Sequence, residues 1–93
     1  MARYLLEVSH DNSMEACTLA VELFLGTGSH FLTKADWGCL DGDHRSWAIV
    51  EADTKDQARG VLPTALRPNA KVIKLNTFTP EQLDQMRGTH KAS

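Results

Sequence analysis

Cysteine is scarce: Cys17 and Cys39 are the two in 93 residues, too few for a disulfide framework and suited to a reducing compartment. A surplus of positive charge is also missing. The formal net charge is -2, and basic residues mixed evenly with acidic ones leave no stripe to neutralise a phosphate backbone, so nucleic acid is not an expected partner. Long hydrophobic runs are absent too, since Leu23-Phe24-Leu25 and Trp47-Ala48-Ile49-Val50 fall far short of the roughly 20 residues that cross a bilayer. The opening Met1-Ala2-Arg3-Tyr4-Leu5-Leu6-Glu7 has an acid interrupting its apolar stretch and is not a signal peptide. No membrane and a cytoplasmic location are therefore expected. There is no internal repeat, low-complexity stretch or linker, and residues 1–88 are expected to form a single domain with a frayed tail over 89–93.

What remains is a regular succession of periodic segments. Arg3 to Ser9 alternates with Tyr4, Leu6 and Val8 on one side, which predicts a first strand. Asn12 and Glu15 have the form of a capping box, and Cys17, Ala20, Val21 and Phe24 follow at helical spacing, so a helix is expected from about residue 13 to Leu25. His30 to Trp37 and Arg45 to Ala52 read as strands joined through Asp41-Gly42, a type I′ hairpin signal. Thr54 and Gln57 form a second capping box before Ala58, Val61, Leu62 and Ala65, with a kink or stop expected near Leu62 because Pro63 cannot donate. Ala70 to Phe78 predicts a fourth strand, and Thr79-Pro80-Glu81-Gln82 a capped terminal helix to about Arg87.

The order strand, helix, strand, strand, helix, strand predicts an α+β fold. With right-handed crossovers it is the ferredoxin-like βαββαβ arrangement, a four-stranded antiparallel sheet of spatial order 4-1-3-2 with two helices on one face and a short C-terminal helix. The helix-covered face would take Tyr4, Leu6, Val8, Ala48, Val50, Ile73 and Leu75. The other face would carry Leu5, Glu7 and Ser9, then Trp47, Ile49 and Glu51, then Val72, Lys74 and Asn76. The pairing of the second strand leaves two registers open, one setting Asp36 and the other Trp37 on the Trp47 side.

Strand order, length, the opening Arg3-Tyr4-Leu5-Leu6-Glu7 and the ending Phe78-Thr79-Pro80-Glu81 make the chain resemble the dimeric α/β-barrel superfamily of ferredoxin-like proteins. That superfamily includes muconolactone isomerases, antibiotic-biosynthesis-type monooxygenases and small families of which at least one has a metal-binding member. The resemblance implies a dimeric α/β barrel with a ligand cavity, and it carries no catalytic residue over to this chain.

An apolar face with embedded charges is a site for burial against a second copy. Closing it in a homodimer would place Glu7, Trp47, Glu51, Lys74 and Asn76 around a cavity for a small organic ligand. Glu7 or Glu51 would serve proton transfer, with Lys74 as charge partner, in a cofactor-independent isomerase or monooxygenase. The bland alternative for these residues is a set of satisfied ion pairs. A second reading is a zinc or nickel protein using His10, His30, His44 or Cys39, which flank the hairpin and the ends of the first two strands, although no CxxC, HxH or HExxH spacing is present. A third is a non-catalytic homodimeric interaction module. Cys17 lies on the apolar helix stripe and reads as core. A Cys39-His44 nucleophile pair has no support in spacing.

Overall fold

A computed structural model describes residues 1–88 with their side chains and the backbone through Ala92. The frayed tail expected over 89–93 lies outside the fully described residues. Strand β1 (Ala2–Ser9) is followed by α1 (Met14–Gly26), a short helix α2 (His30–Thr33), β2 (Asp36–Trp37), β3 (Arg45–Ala52), α3 (Lys55–Arg59), β4 (Ala70–Leu75) and α4 (Pro80–Ala92). The four strands form one sheet of order β2-β3-β1-β4, antiparallel at every pairing.

The alternation of β1 sets the core. Tyr4, Leu6 and Val8 are buried on the side covered by α1, α2 and α3, where they meet Ala20, Phe24, Leu32, Ala58 and Leu62. From β3 the same side receives Ala48, Val50 and Ala52. Trp37 stacks edge-on against Phe24 with ring centroids 4.8 Å apart, which closes the core at the β2 edge.

Local signals decide where each helix begins. Ser13, rather than Asn12, caps α1, its hydroxyl accepting from the Ala16 N–H. Thr54 caps α3 and accepts from the Gln57 N–H, while the Gln57 side chain returns to the Asp53 N–H. At α4 the box is reciprocal: Thr79 accepts from Gln82 N–H, and Gln82 Oε1 accepts from Thr79 N–H. The helix α4 runs past the end expected near Arg87, and its side chains through Gly88 face solvent.

Four expectations are corrected. His30 to Thr33 is helical instead of extended, because a turn there drops Leu32 into the core (1% exposed) and leaves two residues to pair with β3. That short strand sets Asp36 opposite Trp47 and Trp37 opposite Ser46. The hairpin is not a two-residue type I′ turn. Asp41 ends a 3-10 turn (Cys39–Asp41), and Gly42 alone takes the positive φ, +85°. The second helix stops earlier than Leu62, at Arg59, and a 3-10 segment (Thr64–Asn69) leads on to β4.

The fourth correction concerns β4, which sits one residue out of phase with the expectation. Val72 lies opposite Leu6 and faces the helices, as do Ala70 and Lys74, while Lys71, Ile73 and Leu75 share the open face with Glu7, Leu5 and Arg3. Either phase places one lysine on each side, so hydrophobic alternation does not discriminate. The connection before the strand does. Arg59 donates to the carbonyls of Arg67 (3.1 Å) and Ala70 (3.0 Å), and Arg67 donates to those of Leu62 and Gly60. These guanidinium bonds satisfy carbonyls in a segment that Pro63 and Pro68 keep from forming a continuous helix.

Leu6 is fully buried at the centre of this packing. Leu6→Ala is expected to lower stability by about 2–5 kcal/mol, measured as a reduced urea midpoint with an unchanged slope. A loss under 1 kcal/mol would mean that β1 does not occupy the middle of the core.

Candidate metal centre

The strand registers bring three distant residues to one row at one end of the sheet. Ser9 pairs with Arg45, so the next step along the same ladder sets His10 opposite His44, and the His10 N–H donates to the His44 carbonyl at 3.1 Å. Trp37 pairs with Ser46, and two steps on, past the Gly38 N–H bond to the Arg45 carbonyl (3.0 Å), Cys39 comes level with His44. Strand side chains alternate faces. His10 therefore falls on the side of Val8, His44 on that of Ser46, and Cys39 on that of Trp37, all toward the helices.

The side chains complete what the backbone arranges. His10 Nε2 is 3.2 Å from Cys39 Sγ and 3.4 Å from His44 Nδ1. The three donor atoms lie within 4.8 Å of one another. The rings of His10 and His44 meet edge to face at 5.3 Å. Cys39 is buried and both histidines are half-buried, and His10 Nδ1 points away from the cluster without a hydrogen-bond partner among the described residues. Gly38 makes this possible: a Cβ there would stand 2.6 Å from the Asp43 carbonyl oxygen, so a side chain would push apart the turn that carries Cys39 and the residue preceding His44.

The surroundings of His10 and Cys39 favour the uncharged form of each. Burial, with the neighbouring His44 second, holds the His10 imidazole below its usual pKa. Burial and then a hydrogen bond with Cys17 push the Cys39 thiol up to about 11. A nucleophilic cysteine needs the opposite, a thiol pulled down beside an imidazolium, so a Cys-His nucleophile is not what this environment produces. The remaining histidine of the sequence reading with a described side chain, His30, is exposed on α2, stacked on Phe31 at 4.2 Å, and outside the cluster.

The residues expected around a ligand cavity are brought together only in part. Trp47 Nε1 donates to Glu7 Oε1 at 3.0 Å, and Arg45 lies 3.6 Å from the same oxygen while clamping Asp43 through two bonds of 2.7 Å. Glu51 shares their face but sits opposite Arg3, four register pairs from Glu7 and Trp47, a separation of about 13 Å along the strand. Lys74 pairs with Tyr4 on the helix side, and Lys71 takes the position opposite Glu7. Asn76 is exposed beyond the end of β4. Beside Trp47 the open face does carry a groove of about 410 Å³, shaped by Leu5 and Ile49 with Phe31 and Lys34.

Sequence spacing hid the cluster because its members lie 29 and 34 residues from His10. The signal that finds it is parity: each of the three lies two residues from an inward-facing strand residue, His10 from Val8, Cys39 from Trp37 and His44 from Ser46. No family model, curated protein or solved structure matches this chain. Among the described residues no helix is long and apolar enough to cross a membrane.

Two groups of the cluster, His10 and Cys39, link folding to pH. His10 is lowered, so the unfolded chain takes up a proton first as pH drops below 6.5, and stability held above that value is lost on acidification. Cys39 is raised, so its contribution is complete below 9.0 and is lost as pH climbs from there toward about 11. Urea midpoints are expected to fall at both ends, with His10→Gln flattening the acid limb and Cys39→Ser the alkaline one. Unchanged limbs in both variants would show that neither group is coupled to folding.

Proposed function

We propose that this protein binds a transition-metal ion, zinc foremost, through His10 Nε2, Cys39 Sγ and His44 Nδ1. The observation that carries the reading is the spacing of these atoms. Zinc takes imidazole nitrogen at about 2.0–2.1 Å and thiolate sulfur at about 2.3 Å, so neighbouring donors in a tetrahedron stand about 3.3 Å apart for two nitrogens and about 3.5 Å for nitrogen and sulfur. The contacts of 3.4 Å and 3.2 Å are close to those edges. A thiolate with two imidazoles suits zinc better than nickel, which prefers square-planar nitrogen and oxygen sets.

Binding would tie the end of β1 to both arms of the β2-β3 hairpin and expel the proton from Cys39. Metal affinity is then folding free energy, and three protein donors leave a fourth position for water or a small ligand. A reducing compartment such as the cytoplasm keeps the thiolate available. Zinc titrated into metal-free protein is expected to bind at one per chain and to raise the melting temperature. Cobalt in its place should give a thiolate-to-metal charge-transfer band that Cys39→Ser abolishes and His30→Ala leaves intact. Absence of stoichiometric zinc in protein purified without a histidine tag, together with melting that chelator does not change, would remove the reading.

We infer also that two copies meet through the open sheet face, in the manner of the ferredoxin-like dimers that the strand order resembles. Support comes from the apolar row of Leu5, Ile49 and Ile73 across the three longer strands, with Ile49 48% exposed. Charged pairs in register, Arg3 opposite Glu51 and Glu7 opposite Lys71, flank that row on either side. A face of this kind is self-complementary under a two-fold axis. Sedimentation at micromolar concentration should find a dimer that Ile49→Lys converts to monomer. A wild-type monomer would end this inference and leave the metal centre untouched.

A further inference from the structure

Cys17 has no part in the three-donor cluster, yet it lines the same groove as the cluster's cysteine. It occupies the buried stripe of α1 with Ala20 and Phe24, and that stripe lies against the turn bearing Cys39. Both side chains are buried, and neither sulfur is in a disulfide. Cys39 Sγ lies 3.2 Å from His10 Nε2, and Cys17 is the second cysteine beside it on one groove. Both thiols border a groove of about 390 Å³ between α1 and the hairpin turn, bounded also by Val21, Trp37 and Leu40, with ample room for a small oxidant.

We propose that Cys17 and Cys39 form a reversible disulfide that takes Cys39 out of the metal centre, so that oxidation releases the ion. The inference rests on the metal-binding reading above and adds its regulation. A metal-bound cysteine is a thiolate, and the thiolate is the form that attacks an oxidant. With hydrogen peroxide, the Cys39 sulfur attacks one oxygen and the O–O bond breaks, giving a sulfenic acid and hydroxide. The Cys17 sulfur then displaces the hydroxyl group from Cys39, the S–S bond forms, and the Cys17 proton leaves with the hydroxyl as water. The two sulfurs give up two electrons, and the peroxide accepts them. The disulfide sulfur no longer carries the charge that held the ion, and two imidazoles remain. A small-molecule dithiol reverses the step by exchange.

The test treats zinc-loaded protein with hydrogen peroxide in the presence of a chromogenic chelator, and follows thiols by alkylation and peptide mass. Wild type should lose its zinc together with both alkylatable thiols, show a peptide pair joined through Cys17 and Cys39, and recover thiols and zinc binding with dithiothreitol. Cys17→Ser should lose zinc without recovery, because a sulfenic acid with no neighbouring thiol to trap it is carried by a second peroxide to the sulfinic acid, which dithiothreitol does not reduce. Cys17→Ala serves where a buried hydroxyl unfolds α1, circular dichroism being the check. Zinc that stays bound with both thiols intact, or zinc lost with Cys39 oxidised and no link to Cys17, overturns the proposal while the metal centre stands. A chain that takes up no zinc, yet still joins Cys17 to Cys39, sinks the metal centre and the gating together.

Discussion

The antiparallel pairing of β1 with β3 is the constraint on which the rest of the molecule depends. It runs unbroken from Ala2 opposite Ala52 to Ser9 opposite Arg45. Its phase buries Tyr4, Leu6 and Val8 with Ala48 and Val50 under the helices. Because strand side chains alternate, a slip of one residue would turn that whole set outward, so the hydrophobic core fixes the register. The same register, carried one residue past the end of β1, makes His10 and His44 neighbours. Core packing and the candidate centre are two readings of one alignment, since the donors stand on the parity that the core dictates.

The hairpin supplies the third donor through backbone detail. Gly38 lets the chain pass close to Asp43, the turn tightens into a 3-10 segment, and Gly42 alone takes the left-handed conformation that brings the chain back. Outside the turn, Arg45 binds Asp43 with both arms of its guanidinium and lies over the Trp47 ring at 5.7 Å. This surface clasp borders His44 on both sides in sequence. Bidentate pairing with a carboxylate holds geometry more firmly than a single contact does.

Much of the fold was legible in the sequence where periodicity and capping agreed. The alternation of Arg3 to Ser9, the Thr54 and Thr79 boxes and the run from Arg45 to Ala52 each correspond to an element of the structure. Where tertiary burial outweighed local pattern, legibility failed: the turn at His30 to Thr33 exists because Leu32 has a core to enter, which no neighbour in sequence announces. The phase of β4 was hidden because Ala70 to Leu75 offers two faces of similar character. The residues of the centre were visible as types, with His10, His44 and Cys39 all singled out, while their convergence required two strand registers that spacing alone does not supply. Lys74 was misplaced for the same reason that β4 was.

The bond from Arg59 to the Ala70 carbonyl has a reach beyond capping a loop. Ala70 opens an edge strand, bonded to a neighbour on one side only, and such a strand is held in place by half as many backbone bonds as a central one. A single side chain fastened to its first residue acts as an anchor against sliding. In the phase so anchored, Lys71 stands opposite Glu7 on the open face and Lys74 opposite Tyr4 on the helix side. The two lysines thus put positive charge on both surfaces of the sheet, next to a strand end held by an arginine that belongs to neither.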